Sequence, residues 1–124
     1  MKPNTTRSYK DLVVWQKGIQ LTKLVYGLTR SFPANERFGI IAQMRRAAVS
    51  VPSNIAEGQA RHTTGEFIQF ISHAEGSVAE LDTQLIVCVE LRYTRAEDAD
   101  GVFELISELR RMLNSLRRKL AARQ

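Results

Sequence analysis

Apolar residues recur along this chain in alternating steps of three and four, the spacing that lays a stripe down one side of a helix. Four segments carry the pattern. The first runs Val14, Gly18, Leu21, Val25, Leu28 and Phe32, is thickened by Leu12, Trp15, Ile19 and Leu24, and stops where Pro33 follows. The second runs Ile41, Met44, Ala48, Val51 and Ile55 and ends at Gly58. The third, the most regular, is Phe67, Ile71, Ala74, Val78, Leu81, Leu85 and Cys88; the fourth is Val102, Ile106, Leu109, Leu113, Leu116 and Leu120. Thr63 stands three residues before Glu66 and Thr94 three before Glu97, and each pair has the capping-box form that satisfies free amides at a helix start. Helices three and four are therefore predicted to begin near residues 64 and 95. Connections of about three to six residues leave successive helices little choice but to run antiparallel. No stretch alternates with period two. The expected fold is all-α, an antiparallel up-down-up-down four-helix bundle.

The second segment holds an anomaly, SVPSNIAEG at 50–58. A proline in a helix interior removes one amide and collides with the carbonyl four residues back, here that of Ala48, at a cost of about 3 kcal/mol. Pro52 as the first residue of a new helix would leave Val51 as a poor cap. The favoured reading is one long helix two with a kink at Pro52, which swings Asn54 and Glu57 toward neighbouring helices, where they need partners. Candidate partners are Arg45 and Arg46 before the kink and Glu75 and Glu80 on helix three, around the small run Ala74, Gly76, Ser77 and Ala79. With Ala47 and Ala48 opposite, helices two and three are expected to cross tightly beside an Arg–Asn–Glu network. Its first reading is packing or a subunit contact; an active site is the lesser one.

Composition narrows the function classes. The 124 residues are 44% hydrophobic and 25% charged, which suits one soluble domain, 1–124, with a single core. The polar start MKPNTTRSYK lacks the apolar run of a secretory signal, and no segment approaches a membrane span, so a cytoplasmic protein is expected. One cysteine makes no internal disulfide and no Cys-based metal cluster. A di-iron site needs Glu-x-x-His pairs, but Gln59 and Phe70 stand three before His62 and His73. No phosphate-cradling glycine pattern occurs. Cys88 sits at a core position of its stripe, where a thiol behaves as a small hydrophobe. These residues point to no enzyme, no metal, no cofactor and no small-molecule substrate.

Charge adds a positive indication. Residues 1–30 carry six Lys or Arg and one acid, residues 31–104 six and eleven, and residues 105–124 six and one, so the segments net +5, −5 and +5. In an antiparallel ring helices one and four are neighbours, which puts both basic segments on one side. Such a face suits RNA or DNA phosphates, met without sequence reading, or the acidic side of a second copy in a head-to-tail ring. A blander reading is that it serves solubility. No aromatic residues interleave the cations, which lowers the case for single-strand binding. On helix four, Arg110 and Arg117 are seven residues apart, as are Arg111 and Arg118, so each pair shares a side about 10.5 Å apart along the axis. Arg110 and Arg117 border the apolar stripe. Arg111, Arg118 and Lys119 point outward, and Lys10 and Lys17 on helix one are further candidates.

QMRRAAVSVPSNIAEG at 43–58 and EFIQFISHAEGSVAELDTQL at 66–85, with DLVVWQKG, FPANERFG and LISELRRML, resemble the family of 23S rRNA intervening-sequence proteins over nearly the whole chain. The resemblance implies a small bacterial four-helix bundle, sometimes encoded within ribosomal RNA genes and often free-standing, with no established enzymatic activity. Relatives include the accessory protein of diversity-generating retroelements, a five-subunit barrel that works with a reverse transcriptase and nucleic acid. A homo-oligomer, by resemblance a pentamer, is thus expected. The expected function is RNA or DNA binding through the basic face, with a protein-partner adaptor as the alternative.

Overall fold

The computed structural model describes residues 8–124, so Lys2 and Arg7 of the first basic segment lie outside the described residues. Four helices form: α1 (Val13–Thr29), α2 (Ile40–Gln59), α3 (Thr64–Glu90) and α4 (Ala96–Ala121), with short 3-10 turns at Tyr9–Asp11 and Ala34–Glu36. Each helix packs closely on two others, α1 on α2 and α4, α3 on α2 and α4, while the backbones of the diagonal pairs stay apart. Cross-helix contacts establish direction. Gly18 approaches Pro52 while Arg45 reaches Thr29; Met44 meets Cys88 while Ser50 meets Ser77; Glu75 pairs with Arg117 while Asp82 pairs with Arg110. One residue number rises as the other falls in each pair of helices, so the bundle is antiparallel, up-down-up-down as expected.

The core is the four predicted stripes turned inward. Leu21, Val25, Met44, Val51, Ile55, Ile71, Leu81, Leu85, Ile106, Leu109 and Leu113 are all buried. The thickening residues of the first stripe divide: Leu12 and Trp15 are half-buried against the core, and Ile19 and Leu24 are exposed. Two helix limits differ from expectation. α1 ends at Thr29, and Phe32 reaches the core after a turn closed by its own amide on the Thr29 carbonyl at 3.1 Å. At α4 the cap is Arg95 and not Thr94, whose hydroxyl turns to the Arg95 carbonyl at 3.3 Å. Arg95 instead grips Asp98 from Nε at 2.9 Å, which lowers the Asp98 pKa from its ordinary value. Thr63 caps α3 as expected, accepting from the Glu66 amide at 3.1 Å.

α2 runs unbroken through Pro52. The carbonyl that loses its helix donor there is Ala48, and Thr22 of α1 supplies a replacement: its hydroxyl lies 3.3 Å from that oxygen and 3.0 Å from the Gly18 oxygen of its own helix. Gly18 makes room for the ring, since a Cβ there would stand 3.2 Å from Pro52 Cβ and Cδ. The breaker is thus accommodated by two residues of the neighbouring helix.

Candidate nucleic-acid interface

α4 positions most of the candidate cations, and helix geometry sorts them. A step of one residue turns about 100°, so Arg110 and Arg117 face α3 while Arg111 and Arg118 face away. Arg117 donates from Nε to Glu75 Oε1 at 2.7 Å and from Nη2 to Asn114 Oδ1 at 2.8 Å. Arg110 lies 3.8 Å from Asp82, and Lys17 reaches from α1 to Glu108 at 3.2 Å. These three are matched by carboxylates.

Arg111, Arg118 and Lys119 are exposed and have no acidic partner among the described residues; Arg111 donates only to Ser107 Oγ, at 3.3 Å. Around them and Asn114, Ser115 and Ala122 lies a shallow recess of about 490 Å³. Lys10 is also exposed and without an ion pair among those residues, its backbone held by Gln16 Nε2 at 2.9 Å. For Arg118 and Lys119, in the last turn of α4, part of the reason is the helix itself, whose C-terminal carbonyls favour positive charge. The sequence reading missed Asn114 and Ser107, though both stand within a turn of the arginines they contact. Glu108 opposite Lys17 had no comparable signal.

The second constellation is corrected. Arg45, Arg46, Asn54, Glu57, Glu75 and Glu80 do not form one network between α2 and α3. Arg45 turns to α1, donating to Thr29 Oγ1 at 3.0 Å with its guanidinium 4.4 Å from the Tyr26 ring centre. Arg46, one residue and about 100° on, is exposed. Glu57 is exposed too, pairing with Arg61 one turn on at 3.4 Å. Glu75 serves Arg117, while Glu80, five residues away and on another side, accepts from Gln84 Nε2 at 3.3 Å. Asn54 is hydrogen-bonded, as expected, but within its own helix, donating to the Ser50 carbonyl and hydroxyl at 2.8 and 2.9 Å, and it is Ser50 that bonds across the seam, to Ser77 at 2.7 Å. The small run divides: Ala74 and Ser77, like Ala47 and Ala48, are buried, and another close α2–α3 approach lies at Gly58. Gly76 faces open space and Ala79 is exposed, whereas a Cβ on Gly58 would stand 2.8 Å from Phe70 Cβ and 2.9 Å from Phe67 Cδ1.

Burial, with a smaller contribution from Glu36, pushes the Cys88 thiol up to about 11, so it is protonated at neutral pH; its sulfur lies 3.7 Å from that of Met44. His62 and His73 are exposed. Among the described residues no group of three or more metal-ligating side chains comes together, and no helix is long and apolar enough to cross a membrane.

The profile of the 23S rRNA-intervening sequence protein family matches residues 10–115. Among solved structures the chain is similar to a 1.70 Å crystal structure of a protein with unknown function from the S23 ribosomal protein family, from Bacteroides thetaiotaomicron. The TM-score is 0.76 at 22% identity, over 83% of this chain and 96% of that one, a likeness of fold. No curated protein matches the chain.

Proposed function

Because the chain belongs to the family of 23S rRNA-intervening sequence proteins, we propose that it is a non-enzymatic, oligomeric bundle of the cytoplasm that holds RNA or DNA without reading sequence. The contacts are Arg111, Arg118 and Lys119 of α4, with Lys10 beside α1. One observation carries the reading: these cations face solvent without carboxylates, while Lys17, Arg110 and Arg117 are already matched by acids. A phosphate arriving at the open row displaces water and condensed counterions, whereas at the matched cations it would compete with a carboxylate. Affinity should therefore fall steeply with salt and vary little with sequence. Changing Arg111, Arg118 and Lys119 together to Gln should flatten the salt dependence by about 0.9 in slope per lost duplex phosphate contact, with helix content and assembly unchanged. Unaltered binding by this variant overturns the reading.

A second reading, an adaptor or scaffold whose basic face serves assembly, is favoured by one feature. Ile86 and Val87 of α3 and Leu91 at its C-terminal cap are exposed on the net acidic segment, apolar surface within a charge that suits a neighbouring copy's basic side. On this reading the triple Gln variant binds nucleic acid like the parent and dissociates into subunits. Both readings include a closed homo-oligomer, by resemblance a pentamer. Light scattering that gives a monomer at low and at physiological salt overturns that element of both.

A further inference from the structure

The open cations border an apolar groove. Where the start of α1 meets the last turns of α4, Leu12, Val13, Met112 and Leu116 line a groove of about 380 Å³, with Arg111 and Lys119 on its walls and no carboxylate among its lining residues. Val13 keeps 55% of its surface exposed, because α1 turns Val14, Gly18 and Leu21 to the core and leaves its first residue outside. From this juxtaposition we infer that the nucleic acid held by the α4 row is single-stranded, with phosphates on Arg111 and Lys119 and an unstacked base in the groove against Val13, Met112 and Leu116. The inference rests on the nucleic-acid reading above.

The apolar chemistry of the groove favours a single strand. Arg111 and Lys119 are eight residues apart, about 12 Å along the helix axis, a distance that a short stretch of one strand covers. A duplex keeps its base faces in its own stack and would lay sugar and phosphate over Val13 and Leu116, where charged oxygens lose water and gain nothing. A flexible strand instead turns a base outward, and aliphatic side chains and the Met112 thioether accept an aromatic ring favourably. No carboxylate stands among the groove's described lining residues, so the phosphates on either side of that base meet Arg111 and Lys119 on its walls. Aliphatic walls are a weaker platform than stacked aromatics, so the preference for a single strand should be modest.

The test measures binding of full-length protein to a short oligouridylate and to an RNA duplex of the same length, across a salt series, by fluorescence anisotropy. The parent should bind the single strand about three- to tenfold more tightly, the scale expected for covering a half-exposed apolar surface. Val13→Asn should abolish that preference, by weakening single-strand binding and relieving the desolvation of a duplex backbone, while leaving the salt slope unchanged. Val13→Trp, which adds a stacking surface, should raise single-strand affinity about fivefold or more. Circular dichroism checks that both variants keep the parent helix content. A duplex bound as tightly as the single strand, or groove variants that change both affinities alike, overturns the inference while the phosphate row stands. Loss of salt-dependent binding to both nucleic acids overturns instead the reading on which it rests. Tighter, Val13-dependent binding of an amphipathic peptide with a leucine face flanked by glutamates assigns the groove to a protein and overturns the inference as well.

Discussion

α1 lies in two seams that close differently. Toward α2, Gly18 admits the Pro52 ring, Thr22 takes the Ala48 carbonyl, and Arg45 reaches back to Thr29 and lies over Tyr26. Toward α4, Lys17 reaches Glu108, and beyond it the helices leave a groove with Val13 at its mouth. The first seam is set by a missing side chain, so backbone meets ring and polar groups are used up inside the fold. Long side chains span the second, and their charged ends and apolar stems stay available. A close approach of backbones excludes a ligand, whereas a seam bridged by flexible charges leaves a surface on which one can be held.

Breaking the close contacts should produce the largest effects. Between α2 and α3, Gly58→Val forces carbon against Phe67 and Phe70; a loss of about 2 to 3 kcal/mol in urea unfolding is expected, the upper range for overpacking. An unchanged midpoint would mean that α2 and α3 separate freely there. Thr22→Val keeps the shape and strands the Ala48 oxygen, and should cost about 1 kcal/mol. The same substitution at Thr83, an exposed residue bonded only to its own helix at Ala79, is the control and should cost less. The kink expected at Pro52 is read from the angle between the axes of 40–51 and 53–59 in a crystal structure, and a straight axis overturns it.

Open positions should respond in the opposite direction or hardly at all. A Cβ on Gly76 or Gly101 would meet nothing within 4 Å, so Ala at either should raise stability by about 0.5 to 1 kcal/mol, by restricting the unfolded chain. A loss at either site would reveal a contact made by another copy. Glu57→Ala removes an exposed pair with Arg61 and should change stability by less than about 0.5 kcal/mol. A loss above 1 kcal/mol would restore the buried network that the sequence suggested.

Most of the fold was legible because burial repeats with the helix period: the inward series of α2 and α3 were read correctly almost residue by residue. The polar constellation was not, because residues close in sequence diverge by about 100° per step, and Arg45 and Arg46 were grouped by proximity alone. The capping box at Thr63 was local and was read correctly. The equivalent pattern at Thr94 failed because Arg95 took the cap position and bonded Asp98, a competition that spacing does not reveal.

What the chain determined by itself was helix number, antiparallel order, the four buried stripes and the division of charge into basic ends and an acidic middle. Each follows from spacing along one helix or from counting. Tertiary structure decided which cations meet carboxylates and which stay open, how Pro52 is tolerated, and that Val13 and Leu116 share a groove. Those outcomes depend on which residues of different helices stand at the same height. Rotation and offset between packed helices set that register, and both come from side chains interlocking across the whole core.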